Sequence, residues 1–309
     1  MSEKVLIFGA NGFVGGYLIR EFSEHGYEVY GSDLATEAAH PALTGYQGAD
    51  LLEAAGVEKV VTSIAPDIIV NLAAISSVGQ SWRNPALTMQ VNVCGALNIL
   101  EAARKLSESP RVLLVGSSEE YAASDKPIRE ADPVDATNPY GISKVTQERF
   151  AELYAEQYGM RIYRTRSFNH TGVGQNSNFV IPSWCRQVAE IERSGKPGVI
   201  RVGNLDVVRD FSDVRDVARA YRMILESDCA GEVFNVGSGE ARRLRDILDR
   251  IVASIEQKVA VEVDPALIRP CDAAFIQADV SLITSMIGWA PSFSLEQTLD
   301  SMIEAMLWG

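Results

Sequence analysis

The chain has 309 residues, of which 47% are hydrophobic and 22% are charged, the profile of an ordinary globular protein. A chain of this length buries enough apolar surface to fold without disulfides or structural metals. Its formal net charge of −13 opposes binding to nucleic acids or anionic membranes, which requires clustered lysines and arginines. A small anionic substrate is still compatible with this charge, because local arginines can outweigh the global field.

Signals for a membrane span, a secretory leader or a metal site are all missing from the sequence. No apolar run approaches the ~20 residues of a membrane helix, and Met-Ser-Glu-Lys leads directly into the first predicted strand. The cysteines are widely separated and the histidines show no metal-ligand spacing: Cys94, Cys185, Cys229, Cys271, His25, His40 and His170. We therefore expect a cytoplasmic protein with free thiols and no bound metal.

The first predicted unit is a strand over residues 5–8 that turns into a helix over residues 13–22. Gly9, Gly12 and Gly15 form a G-x-x-G-x-x-G turn between the two. Glycines let the backbone bend sharply, and the first free amides of the helix favour an anion. The turn predicts binding of a dinucleotide pyrophosphate, with a purely structural turn as the alternative.

The second predicted strand covers residues 28–33 and ends in Asp33, 18 residues after Gly15. This offset is typical of the carboxylate that binds the adenosine ribose of a dinucleotide. A carboxylate at this position repels a 2′-phosphate, and no arginine stands at or beside Leu34. The sequence therefore favours NAD(H) as the cofactor, with NADP(H) as the alternative.

Strands and helices alternate through the rest of the first half. A short strand is expected to end at residues 49–52, and the later segments are helix 51–63, strand 67–72, helix 85–106, strand 111–115, helix 140–158 and strand 161–165. Near-continuous apolar strands separated by helices predict a doubly wound parallel sheet.

After residue 168 the pattern becomes less regular, with loops rich in glycine and asparagine. The predicted segments there are helix 181–194, helix 214–226, strand 232–236, helix 244–255, strand 259–263 and helix 295–306. We predict an α/β fold, a Rossmann-like doubly wound parallel sheet with a smaller C-terminal α/β lobe that binds substrate. The sheet domain covers residues 1–168 with a contribution from about 206–237, and the lobe covers 169–205 and 238–309.

Tyr140 and Lys144 lie four residues apart at the start of a predicted helix, so both project from one face. Ser117 follows the buried strand 111–115, and parallel topology places its end on the same rim as that helix. An ammonium and a cationic nicotinamide would lower the pKa of a phenol, so Tyr140 could donate a proton to a carbonyl oxygen. Ser117 would hydrogen-bond that oxygen, and Lys144 would hold the nicotinamide ribose. A solvated surface pair is the alternative interpretation.

Together these motifs resemble the extended short-chain dehydrogenase/reductase family over essentially the whole chain. The matching positions are Gly9 to Gly15, Asp50, Asn71 to Ala74, Asn92, Ser117, Tyr140-x-x-x-Lys144 and Arg166 to Asn169. The resemblance implies a Rossmann fold, a nicotinamide cofactor and a nucleotide-sugar substrate. It implies these cofactor-binding residues: Gly9, Asn11, Gly12, Phe13, Val14, Gly15, Asp33, Asp50, Leu51, Leu72, Ala73, Ala74, Tyr140 and Lys144.

The second half of the chain looks like the branch of that family that acts on GDP-mannose derivatives. The matching blocks are 168–175, 178–180, 203–211 and 269–272. This resemblance implies a reductase that acts on the 4-keto group of GDP-4-keto-6-deoxy-D-mannose and forms GDP-D-rhamnose. The implied substrate-binding residues are Asn169, Phe179, Val180, Arg209, Arg269 and Asp272, in which the two arginines grip phosphates. A surface salt bridge is the alternative for each arginine.

Glu119 favours a different reaction within the same family. It occupies the position where the 4,6-dehydratases carry a glutamate that transfers protons at the sugar, so GDP-mannose 4,6-dehydratase is the first alternative. A nucleotide-sugar epimerase and a non-catalytic nucleotide sensor are further alternatives. Relatives pack the helices near 87–104 and 140–158 across a two-fold axis, which implies a homodimer.

Overall fold

The structure is a computed structural model that describes residues 2–268 and 273–308. Its strands are β1 Lys4–Phe8, β2 Glu28–Asp33, β3 Gly45–Gly48, β4 Ile68–Asn71, β5 Arg111–Ser117, β6 Arg161–Ser167, β7 Asn169–Thr171, β8 Gly198–Val202, β9 Val208–Asp213, β10 Val233–Val236, β11 Ala241–Arg243, β12 Val259–Val263 and β13 Phe275–Ile276. Its α-helices are α1 Phe13–Glu24, α2 Ala54–Ile64, α3 Val78–Arg83, α4 Pro85–Met89, α5 Gly95–Ala103, α6 Pro139–Tyr158, α7 Val180–Ser194, α8 Val214–Glu226, α9 Leu244–Val252, α10 Ser281–Ile287 and α11 Leu295–Trp308.

The main sheet is parallel throughout and has the strand order β10-β6-β5-β4-β1-β2-β3. The chain starts at β1 in the interior, runs to one edge through β2 and β3, and then continues on the other side of β1. This reversal lies between β1 and β4, where open α/β sheets bind ligands at the carboxyl ends of their strands. The predicted fold class is confirmed.

Helices cover both faces of this sheet, as the alternating strand residues require. Val5 and Ile7 of β1 pack into one core with α1 and α8, whereas Leu6 and Phe8 pack into the other with α2 and α5. Both faces are therefore dry, and ligands have access only at the strand ends. Across the described part of the chain, each helix is too short or too polar to cross a membrane.

The second half builds two smaller sheets around a separate core. β9 pairs with β7, β11 and β13, and β8 pairs with β12. Helices α7, α9 and α11 surround this core, which includes Trp184, Leu248 and Met302. β10 returns to the main sheet, while β9 stays in the smaller one. The proposed division of the chain into two domains stays a prediction.

Most of the predicted elements are confirmed, but the segment after β2 was placed wrongly. The predicted strand end at 49–52 and helix start at residue 51 are replaced by β3 at Gly45–Gly48 and α2 at Ala54–Ile64. The reason is a tight turn at Asp50, which accepts the N–H groups of Leu52 on its side chain and Glu53 on its carbonyl. The helix predicted over 85–106 ends at residue 103 and contains a π-helical turn, Gln90–Cys94.

The turn after β1 depends on glycine at two positions. Gly9 has φ = +81°, and a Cβ atom there would lie 2.8 Å from the backbone nitrogen of Ala73. A Cβ atom on Gly15 would lie 2.6 Å from the carbonyl oxygen of Gly9. Backbone atoms cannot move aside as a flexible side chain can, so a larger residue at either position would destabilise the protein.

We expect Gly15→Ala to lower the free energy of unfolding by about 1–3 kcal/mol, because the new methyl group overpacks against backbone. Gly16→Ala is the matched control, since its Cβ would make only an ordinary contact of 3.7 Å with His40. That variant should be neutral or gain up to about 1 kcal/mol from helix propensity. Urea unfolding followed by circular dichroism measures both, and equal stability of the two variants would contradict the packing argument.

Candidate active site

The glycine turn presents the start of α1 to the carboxyl edge of the main sheet. α1 begins at Phe13, and its N-cap residue Gly12 offers no side chain to the first amides. Val14 and Gly15 continue the first turn, so the leading N–H groups and the helix dipole face this edge. Because Gly9 and Gly15 lack Cβ atoms, backbone and ligand can approach closely here. The turn fits a dinucleotide pyrophosphate.

Asp33 and Asn11 organise the loop that follows β2. The Asp33 carboxylate accepts hydrogen bonds from the backbone N–H groups of Asn11 at 3.1 Å and Leu34 at 2.7 Å. The Asn11 side chain donates to the carbonyl oxygen of Glu37 and accepts from the N–H of Ala39, each at 2.9 Å. The loop is therefore held against the glycine turn, with Asp33 half-buried at the end of β2.

The other predicted cofactor residues, apart from Tyr140 and Lys144, lie at neighbouring strand ends: Leu72, Ala73 and Ala74 after β4, and Asp50 and Leu51 after β3. The N–H of Ala73 donates to the side chain of Asn71 at 3.1 Å, which turns the chain away from β5. Leu72 and Ala73 directly face the glycine turn. Asp50 is exposed, and Leu51 is buried against Gly95.

Ser117, Tyr140 and Lys144 meet where β5 ends. Tyr140 and Lys144 lie one turn apart on α6, and both side chains are buried against β5. The side chain of Ser117, the last residue of β5, lies close enough to the phenol of Tyr140 to lower its pKa. The ammonium of Lys144 donates to the carbonyl oxygen of Val115 at 2.7 Å. The structure therefore brings Ser117, Tyr140 and Lys144, three of the four predicted catalytic side chains, together.

Burial governs the charge states of these groups. It raises the pKa of Tyr140 above the ordinary value of a phenol, while the side chain of Ser117 lowers it and the charges of Glu120 and Glu119 raise it further. Burial also lowers the pKa of Lys144 to about 8, against the opposing effect of Glu120. The lowering expected for Tyr140 is thus not a property of the protein alone, because desolvation dominates. A phenol that stays protonated near neutral pH suits a proton donor.

Glu119 lies in the short 3₁₀ turn after β5 and contacts the residue that caps the start of α6. Its carboxylate accepts a hydrogen bond from the side-chain amide of Asn138 at 2.7 Å. Asn138 in turn caps α6, because its side-chain oxygen accepts from the N–H of Gly141 at 2.9 Å. Glu119 is half-buried and contributes to the field at Tyr140. The side-chain amide of Asn138 therefore connects Glu119 with α6, the helix that carries Tyr140.

The predicted substrate residues lie on several elements of the second half. Asn169 is half-buried in β7, next to β9, and Arg209 is buried in β9. Phe179 and Val180 lie at the start of α7, where both are exposed. Two of the predicted substrate residues lie outside the described residues: Arg269 and Asp272.

A cavity of about 560 Å³ lies beside the glycine turn and is lined by residues of both halves of the chain. The first half contributes Asn11, Gly12 and Phe13 to its lining, and the second half contributes Val173 and Arg215. The ring of His170 stacks on Phe13, with centroids 6.2 Å apart. Within residues 2–268 and 273–308, no cluster of His, Cys, Asp and Glu side chains could hold a metal ion.

Several residues of the site were not predicted from the sequence. Glu120 is fully buried, and its carboxylate accepts from the N–H of Ser117 at 2.7 Å. Gln147 accepts from the ammonium of Lys144 at 3.3 Å. The spacing Ser117-x-x-Glu120 is a capping-box pattern, so a signal for Glu120 was present in the sequence. Gln147 has no comparable pattern, since only the packing of α6 on β5 brings it to Lys144.

Asn92, which belongs to the family pattern, holds the segment after β4 against α6. Its side-chain oxygen accepts from the N–H of Ile75 at 2.8 Å. Its amide donates to the carbonyl oxygen of Ile75 at 3.1 Å and to the hydroxyl of Ser143 at 2.9 Å. All polar atoms of this buried side chain are used within the protein, which gives Asn92 a structural role.

Comparisons with known proteins agree with this geometry. The family model described as GDP-mannose 4,6 dehydratase matches residues 6–302. The chain is 30% identical to the GDP-6-deoxy-D-mannose reductase of Pseudomonas aeruginosa, over 98% of this chain and 97% of the relative.

Two solved structures resemble the fold over nearly the whole chain. One, from Burkholderia cenocepacia J2315 and provisionally described as an epimerase, has a TM-score of 0.89 and 32% identity, covering 100% of this chain and 99% of its own. The other is RMD from Pseudomonas aeruginosa complexed with NADPH, with a TM-score of 0.83 and 27% identity, covering 99% of each chain. The chain therefore belongs to the GDP-mannose 4,6 dehydratase family, within the extended short-chain dehydrogenases/reductases.

Proposed function

We propose that this protein is an NAD(P)H-dependent nucleotide-sugar reductase that converts GDP-4-keto-6-deoxy-D-mannose into GDP-D-rhamnose. The observation that carries the proposal is the convergence of Ser117, Tyr140 and Lys144 at the end of β5, beside a glycine turn that fits a dinucleotide. The full-length similarity to GDP-6-deoxy-D-mannose reductase supports the choice of substrate. The cofactor residues and the substrate residues predicted from the sequence belong to this proposal.

In the proposed reaction the sugar ketone gains one hydride at carbon 4 and one proton on its oxygen. The bound nicotinamide supplies the hydride. Ser117 hydrogen-bonds the ketone oxygen, and the phenol of Tyr140 donates the proton to it. Lys144 uses two N–H groups on Val115 and Gln147, which leaves one for the nicotinamide ribose. Bulk solvent then reprotonates the phenolate.

The substrate is proposed to lie between the main sheet and the smaller lobe. Asn169 in β7 follows β6 directly, so it lies at the carboxyl edge of the main sheet. Arg209, Arg269 and Asp272 are proposed to bind the diphosphate and ribose of the nucleotide, and Phe179 and Val180 to cover the sugar. A planar guanidinium suits phosphate because it can donate two parallel hydrogen bonds.

Glu119 supports a second candidate, the 4,6-dehydration of GDP-mannose. The Glu119 carboxylate is half-buried, and its charge raises the pKa of Tyr140. Dehydration needs such a proton-transfer group, because hydroxide leaves carbon 6 only after carbon 5 loses a proton. The family that the chain belongs to carries the name of that reaction.

Mass spectrometry of the products separates the two candidates. The purified protein is incubated with GDP-mannose alone and, separately, with GDP-4-keto-6-deoxy-D-mannose and NADH. We expect a gain of two hydrogens in the second reaction and no loss of water in the first. Loss of water from GDP-mannose without reduction of the keto sugar would instead establish the dehydratase.

Tyr140→Phe tests the mechanism within the same assay. We expect turnover to fall by about 10²–10⁴-fold, because the proton donor is lost, while NADH binding stays nearly unchanged. Tyr163→Phe is the matched control, since this hydroxyl donates only to the carbonyl oxygen of Ser227. Full activity of the Tyr140 variant would remove the proposed mechanism.

We propose that NADH is used in preference to NADPH. The loop after β2 is held by Asn11, and Asp33 ends the strand, so a 2′-phosphate would meet a carboxylate. We expect kcat/KM to be at least about tenfold higher with NADH, which corresponds to about 1.4 kcal/mol. Asp33→Asn should narrow this preference, because it removes the charge and keeps the shape. A tenfold preference for NADPH in the native protein would contradict the proposal.

We propose a homodimer that forms through α6 and the helical segment that runs from α4 to α5. Leu87, Ile142 and Leu153 are large apolar residues exposed on α4 and α6. We expect light scattering to give twice the chain mass of 33.7 kDa, and Leu153→Lys to give a folded monomer. Val261→Lys is the control, since Val261 is equally exposed on β12 in the smaller lobe. A monomeric native protein would refute the dimer.

We also propose a cytoplasmic location. Cys94, Cys185 and Cys229 all carry free thiols in the structure, which suits a reducing compartment. The substrate and cofactor proposed above are small nucleotides. Fractionation of cells that express the native gene would test the location, and recovery outside the cytosol would contradict it.

A further inference from the structure

The pairing of β4 with β5 ends next to the site. β4 pairs with β5 only as far as Asn71, opposite Leu114. The N–H of Arg111 donates to the carbonyl oxygen of Asp67, so the odd-numbered residues of β5 direct their N–H and C=O groups toward β4. Beyond Asn71 the chain turns back toward β1. The next odd-numbered backbone groups of β5 therefore lose their strand partner.

Charged side chains take the place of that partner. The ammonium of Lys144 donates to the carbonyl oxygen of Val115 at 2.7 Å, and the carboxylate of Glu120 accepts from the N–H of Ser117 at 2.7 Å. A further residue of β4 would have made both bonds. The ammonium and the carboxylate therefore bind the two backbone groups of β5 that a single residue of a strand would otherwise bind.

Glu120 forms only a long ion pair with the one guanidinium near it, that of Arg166. The second carboxylate oxygen has no hydrogen-bond partner among the described residues, and the nearest guanidinium nitrogen of Arg166 lies 3.8 Å away. Arg166 is already bound by Glu148 through two hydrogen bonds of 3.0 and 2.5 Å. The charge of Glu120 therefore also acts on Lys144, whose pKa it raises, and on Tyr140, whose pKa it raises as well.

We propose that Glu120 is a positioning residue, the buried counter-charge that keeps Lys144 an ammonium and Tyr140 a neutral phenol as the pH rises. This inference rests on the proposed function for the roles of those two side chains. A structural alternative is that Glu120 only caps the turn at Ser117, and a glutamine would perform that task equally well.

Removal of the Glu120 charge is expected to lower the pKa of Lys144 and also that of Tyr140. Burial lowers the pKa of Lys144 and the charge of Glu120 raises it, so removal of the charge lowers it further. The charge of Glu120 also raises the pKa of Tyr140, so its removal makes the phenol more acidic. Both changes move the loss of a required proton to lower pH.

Burial and Glu148 raise the pKa of Glu120 to about 8, against the effects of the Ser117 N–H, Arg166 and Lys144, so its carboxyl group becomes a negative charge only as the pH rises into the alkaline range. The ionisable groups around the cluster come from four elements and the loop before α6: Glu119, Tyr121, Glu130, Tyr140, Lys144, Glu148, Arg166 and Tyr221. The effect of a neutral substitution is therefore confined to the alkaline side.

The test compares the native protein with Glu120→Gln and Glu120→Met. NADH binding, followed by fluorescence, and ketone reduction are each measured from neutral to alkaline pH. We expect the alkaline midpoint of both profiles to move down by about one pH unit in both neutral variants, with coincident curves on the acid side. Glu130→Gln is the matched control, because it removes a carboxylate near Arg166 that does not act on Lys144 or Tyr140.

Each outcome decides between the proposals. Coincident binding profiles for the native protein and both neutral variants would overturn the role of Glu120, even if the native protein reduces the keto sugar. A shift in Glu120→Met alone would assign the effect to the lost capping bond and would also overturn it. A shifted binding profile in a protein that does not reduce the keto sugar would support the role of Glu120 and remove the proposed function.

Discussion

The early end of β4 is the constraint on which the site depends. Backbone polar groups buried without partners are costly, so the free groups of Val115 and Ser117 must be satisfied by something other than a strand. Lys144 and Glu120 do so, one as donor and one as acceptor. The need to satisfy these unpaired backbone groups thus places an ammonium and a carboxylate beside Tyr140. They lie at the carboxyl edge of the sheet, where ligands reach the fold.

The helix that carries Tyr140 is held at this edge by polar contacts as well as by packing. Asn138 caps its first turn and binds Glu119, and Asn92 binds Ser143 one turn further on. Deeper along the helix, Ala151 packs into the apolar core. The apolar contacts therefore hold α6 against the sheet. The side chains of Asn138 and Asn92 fix the position of its first two turns, and with them the position of the Tyr140 phenol.

The sequence predicted those parts of the protein whose signal is local. The buried strands of the main sheet, the glycine turn and the Tyr140–Lys144 spacing all follow from periodicity or from residues a few positions apart. The short strands β7, β11 and β13 gave no such signal, because two or three residues have no measurable alternation and form only by pairing with β9. The turn at Asp50 displaced a strand prediction, since one side-chain hydrogen bond outweighs a weak preference for extended backbone.

The neighbours Glu119 and Glu120 show why composition alone could not assign the site. They lie in one short 3₁₀ turn, in which successive side chains point about 120° apart. Glu119 therefore lies half-buried against Asn138, near enough to Tyr140 to affect its pKa, while Glu120 is fully buried at the end of β5. A carboxylate in the first position can exchange protons with a sugar, whereas a carboxylate in the second acts only through its charge. Because the two positions differ in solvent access, the proposed functions assign the chemistry at the substrate to Glu119 and the electrostatic setting of Lys144 and Tyr140 to Glu120.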